Sequence, residues 1–177
     1  MIPEGSKDRD VKLYKATDFP HKWEVTRTFF QGKEAVDMTL FQFDGKWWLF
    51  ANMIDEPGQS LNEELHIFYC DDFRKDVWIP HTKNPVICSV QTSRPAGKII
   101  SYKGDFYRPS QNSVGSYGYG TNFNRIITLT PDEYKEEFVE EITPDFIKNA
   151  RAIHTYNSSD RLTVIDVVHK IRRFFNP

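Results

Sequence analysis

The sequence predicts an all-β fold of antiparallel sheets, and three observations carry that prediction. Aromatic residues make up 15% of the 177-residue chain, with 14 Phe, 8 Tyr and 4 Trp, side chains that favour pleated, half-buried strands. Two stretches then read as copies of one hairpin, Asp37-Met-Thr-Leu-Phe-Gln-Phe-Asp-Gly-Lys-Trp-Trp-Leu-Phe and Arg94-Pro-Ala-Gly-Lys-Ile-Ile-Ser-Tyr-Lys-Gly-Asp-Phe-Tyr-Arg-Pro. In each, a charged residue opens a strand, a Gly turn reverses it and an aromatic pair begins the return. A weaker third copy runs from Arg151 through His154 to Asp166. The turns at Gly45, Gly104 and about Ser159 recur every 55 to 60 residues or so, a long period of strands that fits a radial repeat such as the β-propeller blade.

The elements follow in order. Residues 1–10 form a polar leader, expected to be frayed. Val11 to Ala16 and Glu24 to Phe30 read as strands, the second alternating through Val25, Arg27 and Phe29. Asp37 to Phe43 and Lys46 to Met53 form a hairpin about Asp44-Gly45, a dipeptide suited to the positive φ of a tight turn. Glu56-Pro-Gly-Gln-Ser is a loop, and Glu64 to Cys70 a strand with Leu65, Ile67 and Tyr69 alternating. The connector 71–85 carries Trp78 and Ile79 to plug the gap between blades, and a short strand starts at Asn84-Pro-Val-Ile-Cys-Ser.

Gly97 to Tyr102 and Asp105 to Arg108 form the second hairpin. The Gly- and Ser-rich run Ser110 to Thr121 reads as a loop into a strand over Phe123 to Leu129. Thr130-Pro-Asp-Glu133 has the form of a capping box, and predicts a single helical turn at most because Phe138 to Ile142 alternates like a strand. Leu162 to Val168 is a last strand, and Lys170-Ile-Arg-Arg-Phe-Phe an end piece with exposed cations. The domain plan is a leader at 1–10, a propeller-like domain at 11–168 with blades of about 11–75, 76–130 and 131–168, and a tail at 169–177.

Composition bounds the function. A formal net charge of −2 gives no electrostatic pull toward nucleic acid or an anionic membrane. No stretch approaches the roughly 20 consecutive apolar residues of a membrane span, and the polar first ten residues lack an apolar signal region, so a cytoplasmic location is the expectation. Cys70 and Cys88 stand outside any CxxC spacing and read as reduced core residues. His66, His81 and His154 lack ligand spacing, so neither a metal nor a cofactor is expected.

Laid in order, several of these segments match a known group. Trp47-Trp48-Leu-Phe, the run from Leu65 to Phe73, Trp78-Ile-Pro-His81 with Asn84-Pro-Val, Arg94-Pro-Ala-Gly, Tyr107-Arg-Pro-Ser-Gln111, Tyr117-Gly-Tyr and His154-Thr-Tyr-Asn together resemble the propeller domain at the N-terminus of glucosamine inositolphosphorylceramide transferases. Similar domains accompany formyltransferase-like sugar-modifying proteins, and the five-bladed glycosidases and fructosidases are more distantly alike. The resemblance spans about Val11 to Asp166. It implies a five-bladed type of propeller, of which this chain holds about three blades. A second copy or a partner would then supply the missing blades, or the open sheet edges are protected some other way.

In such a fold the inner strands converge on an axial cavity, and Asp37, Arg94 and His154 occupy similar places relative to their hairpin turns. A sugar site needs acceptors for hydroxyls, a planar donor and an aromatic face. Asp37, Arg94, Arg108, Gln111, Tyr117 and His154 supply that mixture and are the candidate binding residues. The same residues admit a bland reading, in which Asp37 and Arg94 form a structural ion pair. Asp37 is the candidate catalytic carboxylate, yet glycoside hydrolysis ordinarily needs two. No second is evident, because Glu133, Glu136, Glu137, Glu140 and Glu141 read as a solvated edge. The expectation is therefore a carbohydrate- or sugar-phosphate-binding module of glycan or glycolipid synthesis, non-catalytic alone. A glycosidase-like or glycosyl-transfer enzyme using Asp37, and a structural assembly module, are the alternatives.

Overall fold

The computed structural model describes residues 1–4, 9–54 and 60–170. The expected loop at 56–60, Ser60 excepted, and the end piece beyond Lys170 lie outside them. Strands β1 (Val11–Asp18) and β2 (Lys22–Phe30) make a first, two-stranded sheet. Strands β3 (Glu34–Phe43), β4 (Lys46–Ile54) and β5 (Glu64–Cys70) form the second sheet, whose far edge takes two short strands on β5, β6 (Ile79–Pro80) and β7 (Ile87–Cys88). The third sheet orders β8 (Ile100–Tyr102), β9 (Asp105–Asn112), β10 (Gly120–Leu129) and β11 (Tyr134–Ile142) as an antiparallel meander. After a short 3-10 turn at Pro144–Phe146, β12 (Ala150–Ser158) and β13 (Thr163–His169) close the series as a hairpin.

The all-β expectation holds, and the two strongest turns form where their chemistry allows. Asp44 and Gly45 sit at φ 48° and 71°, and Lys103 and Gly104 at 50° and 89°. Two consecutive left-handed residues match the twist of the strands they join. The sheets part at 31–33, 89–99 and 143–149. β6 and β7 thus stay with the second sheet beyond residue 75, and β11 with the third beyond residue 130, where blade limits were expected.

The second sheet is covered on both faces, which explains the near-continuous apolar run of β4. Trp48, Phe50, Leu65 and Ile67 pack toward Ile99, Phe106, Ile126, Leu129 and Tyr134 of the third unit. On the opposite face, Leu49, Ala51, Met53 and Cys70 meet Val11, Phe29 and Phe30 of the first. Strand β12 is stitched to the third unit by the Tyr156 N–H donating to Ala96 C=O at 2.7 Å and by Thr121 Oγ1 donating to Ile153 C=O at 3.1 Å. That seam is close: a Cβ on Gly97, at φ 129°, would lie 2.1 Å from the Tyr156 carbonyl oxygen.

Four local expectations are corrected. The Ser110 to Thr121 run is loop only at 113–119; its two ends belong to β9 and β10, where Gly120 and Thr121 pair with Asn112 and Gln111. The capping-box residues make a hairpin turn. Glu133 N–H donates to Thr130 Oγ1 at 3.0 Å and Thr130 N–H to Glu133 C=O at 2.9 Å, and the ladder of β10 with β11 takes over at Tyr134. Cys70 is buried, with its thiol pushed up to about 11 chiefly by burial, whereas Cys88 is exposed and no part of the core. Asp37 does not open its strand, since β3 begins three residues earlier at Glu34.

Candidate functional site

Asp37 lies where the pairing of β3 with β4 slips. Val36 is opposite Asn52 and Thr39 opposite Phe50, so two residues of β3 face one of β4. Such a bulge re-aims side chains, and Asp37 takes φ 51° there, a conformation that Asp tolerates better than most residues. Arg94 reaches it from the segment between the second and third sheets. The Ser93 hydroxyl anchors that segment by donating to Glu63 C=O at 2.7 Å, and Gln111 N–H donates to Arg94 C=O at 2.8 Å.

These anchors bring the polar side chains together. Arg94 Nε donates to Asp37 Oδ2 and Arg94 Nη1 to Asn62 Oδ1 at 2.7 Å. Gln111 Nε2 donates to the same Asp37 oxygen at 3.1 Å and to Pro95 C=O at 3.3 Å. Both partners are acceptors, so the amide orientation is settled and Gln111 Oε1 is left buried without a hydrogen-bond partner among the described residues. The Arg94 guanidinium carbon lies 5.0 Å from the Tyr117 ring centroid, within cation–π range. The Tyr117 hydroxyl is 2.7 Å from His154 Nε2. From floor to rim the cluster passes from the fully buried Gln111, through Asp37 and Arg94, to Tyr117, 54% exposed.

Glu4 completes the rim. Its Oε1 accepts from Asp37 N–H at 3.2 Å and lies 4.0 Å from Arg94 Nη2. Burial, then the nearby Asp37 charge, push the Glu4 carboxyl above its ordinary value. Burial likewise raises the Tyr117 phenol, with Arg94 opposing, so Tyr117 is a neutral hydrogen-bonding group. The leader was expected to be frayed, yet Glu4 is tied to the bulge and brings a second carboxylate beside Asp37. No signal in the sequence marks Glu4 or Asn62, since nothing local ties either to Asp37.

Arg108 belongs elsewhere. Its guanidinium is buried and donates through Nε and Nη2 to Glu136 at 2.8 and 2.6 Å, through Nη2 to Thr92 C=O at 2.5 Å and through Nη1 to Ser93 C=O at 3.4 Å. The Tyr134 hydroxyl also donates to Glu136. Burial opposes the Arg108 charge, but Glu136 and Tyr134 outweigh it and hold the group firmly protonated. Glu136 was read as part of a solvated edge, but its side chain is 8% exposed. Its neighbours are bound nearer the surface, Glu137 by Arg125 and Glu141 by Asn112. The structure thus gathers Asp37, Arg94, Gln111, Tyr117 and His154 at one junction and sets Arg108 in a separate ion pair.

Comparison with known proteins adds a name to this arrangement. Residues 1–171 match the family described as glucosamine inositolphosphorylceramide transferase 1, N-terminal. Over 138 residues, 77% of this chain, the chain is 37% identical to glucosamine inositolphosphorylceramide transferase 1 of Oryza sativa subsp. japonica. It is 30% identical to the protein of the same name from Arabidopsis thaliana over the same length. The match spans 18% of the length of each relative. No solved structure matches the chain.

Proposed function

The chain belongs to the glucosamine inositolphosphorylceramide transferase N-terminal family, and from that premise we propose that it is a carbohydrate- or sugar-phosphate-binding module serving glycolipid glycosylation. The carrying observation is the convergence of two carboxylates, a guanidinium, a buried amide and an aromatic hydroxyl from five separate segments. Carboxylates and the amide oxygen accept from sugar hydroxyls, the Arg94 fork favours a phosphate, and the Tyr117 ring offers a face to a pyranose or inositol ring. Asp37, Arg94, Gln111, Tyr117 and His154 are the binding residues in this reading, with Arg108 supporting the segment that carries Arg94. The module is non-catalytic alone, because Asp37 Oδ2 is already held by Arg94 and Gln111. A second copy or a partner chain supplies the further sheets of a closed propeller.

The test is calorimetric titration and thermal shift with glucosamine, myo-inositol and inositol phosphate, beside the solution mass by light scattering. Binding that is lost in Arg94→Ala while the fold survives supports the module. Titrations flat for every compound favour a structural plug, the reading suggested by the mutual burial of Asp37 and Arg94. A second reading is glycosyl transfer or hydrolysis by Asp37 with Glu4 as the acid, favoured by the raised Glu4 carboxyl. It requires turnover of a glycoside or sugar donor that Glu4→Gln abolishes, whereas a binding module shows none.

A further inference from the structure

Asp166, on β13, begins a chain of polar contacts that ends at the rim of the Asp37 cluster. Its Oδ1 accepts from the backbone N–H groups of His154 and Thr155 at 3.1 and 2.5 Å, which fixes the carboxylate against β12. Its Oδ2 lies 3.7 Å from His154 Nδ1. His154 Nε2 in turn is 2.7 Å from the Tyr117 hydroxyl, and the two rings pack with centroids 5.0 Å apart. Gly118 makes that packing feasible: it sits at φ 59°, and a Cβ there would lie 2.7 Å from His154 Cδ2. The charged groups facing the pair are Asp166 from β13, Arg94 beneath the Tyr117 ring, and Asp37 and Glu4 beyond it.

We propose that Asp166, His154 and Tyr117 form a polarity relay that presents Tyr117 as a hydrogen-bond acceptor, so that the site selects a ligand hydroxyl able to donate. The logic is an inventory of hydrogens. An ionised carboxylate only accepts, so the neutral imidazole turns its single N–H, at Nδ1, toward Asp166. Nε2 is then an acceptor and takes the one Tyr117 hydroxyl hydrogen. Only lone pairs remain on the exposed side of the phenol oxygen. Asp166 touches no ligand and is a positioning residue, acting through His154 as outer partners of functional imidazoles commonly do. The relay rests on the carbohydrate-binding reading for its ligand, but the tautomer it requires is testable in the free protein.

The experiment is long-range proton–nitrogen NMR of His154 in the unliganded protein at neutral pH, in wild type and Asp166→Asn, followed by titration with inositol phosphate and glucosamine. Asn retains an oxygen for the two backbone N–H groups, so the variant keeps β12 in place, as circular dichroism would verify. Its NH2 group faces Nδ1 and should reverse the ring to the Nε2–H form. The expected results are Nδ1–H in wild type, Nε2–H in the variant, and ligand binding weakened about fivefold in both Asp166→Asn and Tyr117→Phe, the loss of one net hydrogen bond. Nε2–H in wild type, or an unchanged tautomer in Asp166→Asn, overturns the relay even where sugars bind. Expected tautomers with no sugar binding in wild type instead sink the carbohydrate reading, and the ligand selection with it.

Discussion

Glu136→Gln is the substitution whose cost follows most directly from the geometry. Arg108 is 1% exposed and Glu136 8% by side chain, so the pair is out of water. Removing one partner of a buried ion pair costs about 3–5 kcal/mol, because the other charge stays desolvated without compensation. Gln keeps an acceptor for the guanidinium and for the Tyr134 hydroxyl, and the Thr92 and Ser93 carbonyls still bind Arg108, which places the cost near the lower figure, about 3 kcal/mol. With a urea dependence of about 2 kcal/mol/M for a domain of this size, the unfolding midpoint should fall by about 1.5 M. Adding Arg108→Met to that variant removes the stranded charge and should recover a good part of the loss. Equilibrium urea unfolding followed by Trp fluorescence measures all three proteins. A fall of under about 0.5 M for Glu136→Gln would refute the argument, since about 1 kcal/mol is the most that an exposed pair contributes.

Three further outcomes are expected. Gly97→Ala should destabilise severely or prevent folding, because the new methyl would meet the Tyr156 carbonyl at 2.1 Å in a left-handed backbone position; near-normal thermal stability of that variant would contradict the seam between β12 and the third sheet. His81 is buried and its imidazole is lowered from 6.5 mainly by burial, so the unfolded chain binds the proton more readily and stability is lost as pH falls below about 6.5, down to the folded value. His81→Gln should flatten that slope in unfolding curves taken between pH 7 and 5.5, and an unaltered slope assigns the acid sensitivity to other groups. Glu4 runs the other way: its carboxyl is raised, so its charge penalises the fold at neutral pH and the penalty lifts as pH falls through the folded value toward 4.5. Glu4→Gln should therefore be neutral to slightly stabilising at pH 7, and a marked loss of melting temperature would show that the carboxylate is a needed anchor.

What the sequence reveals is whatever local chemistry decides. Asp44-Gly45 and Lys103-Gly104 can adopt the turn without help, and β5 matches its expected limits residue for residue because alternation and its flanking residues agree. The misses share a nonlocal cause. Gln111 sits among Gly and Ser turn signals, and only its pairing with Thr121 makes it strand. Glu136 looks like its solvated neighbours, because nothing nearby in sequence announces the guanidinium of Arg108 waiting 28 residues away. Asp37, Arg94 and His154 were legible through their similar places around repeated hairpins, and Gln111 and Tyr117 only through residue chemistry, the same argument that wrongly brought in Arg108. Glu4, Asn62 and Asp166 were not, since each joins the cluster through tertiary contacts with no periodicity to betray them.

The contrast between the two buried ion pairs is the strongest physical reason to seek a ligand at Asp37. Around Arg108 the hydrogen bonds close: each guanidinium nitrogen has an acceptor in the Glu136 carboxylate or in the Thr92 and Ser93 carbonyls, and the Tyr134 hydroxyl donates to Glu136, as a structural pair requires. Around Asp37 they do not. The aspartate is held at φ 51°, a left-handed conformation that Asp tolerates better than most residues but that still costs more than an ordinary strand conformation. Gln111 Oε1 is buried without a donor among the described residues, a further penalty of about 1–3 kcal/mol. Glu4 adds a second negative charge beside the first. Apolar side chains of similar volume would join β3 to β9 at least as firmly. Strain, an unmet acceptor and paired like charges at one junction are what a fold tolerates where donors arrive from outside, and sugar hydroxyls are donors of the required kind.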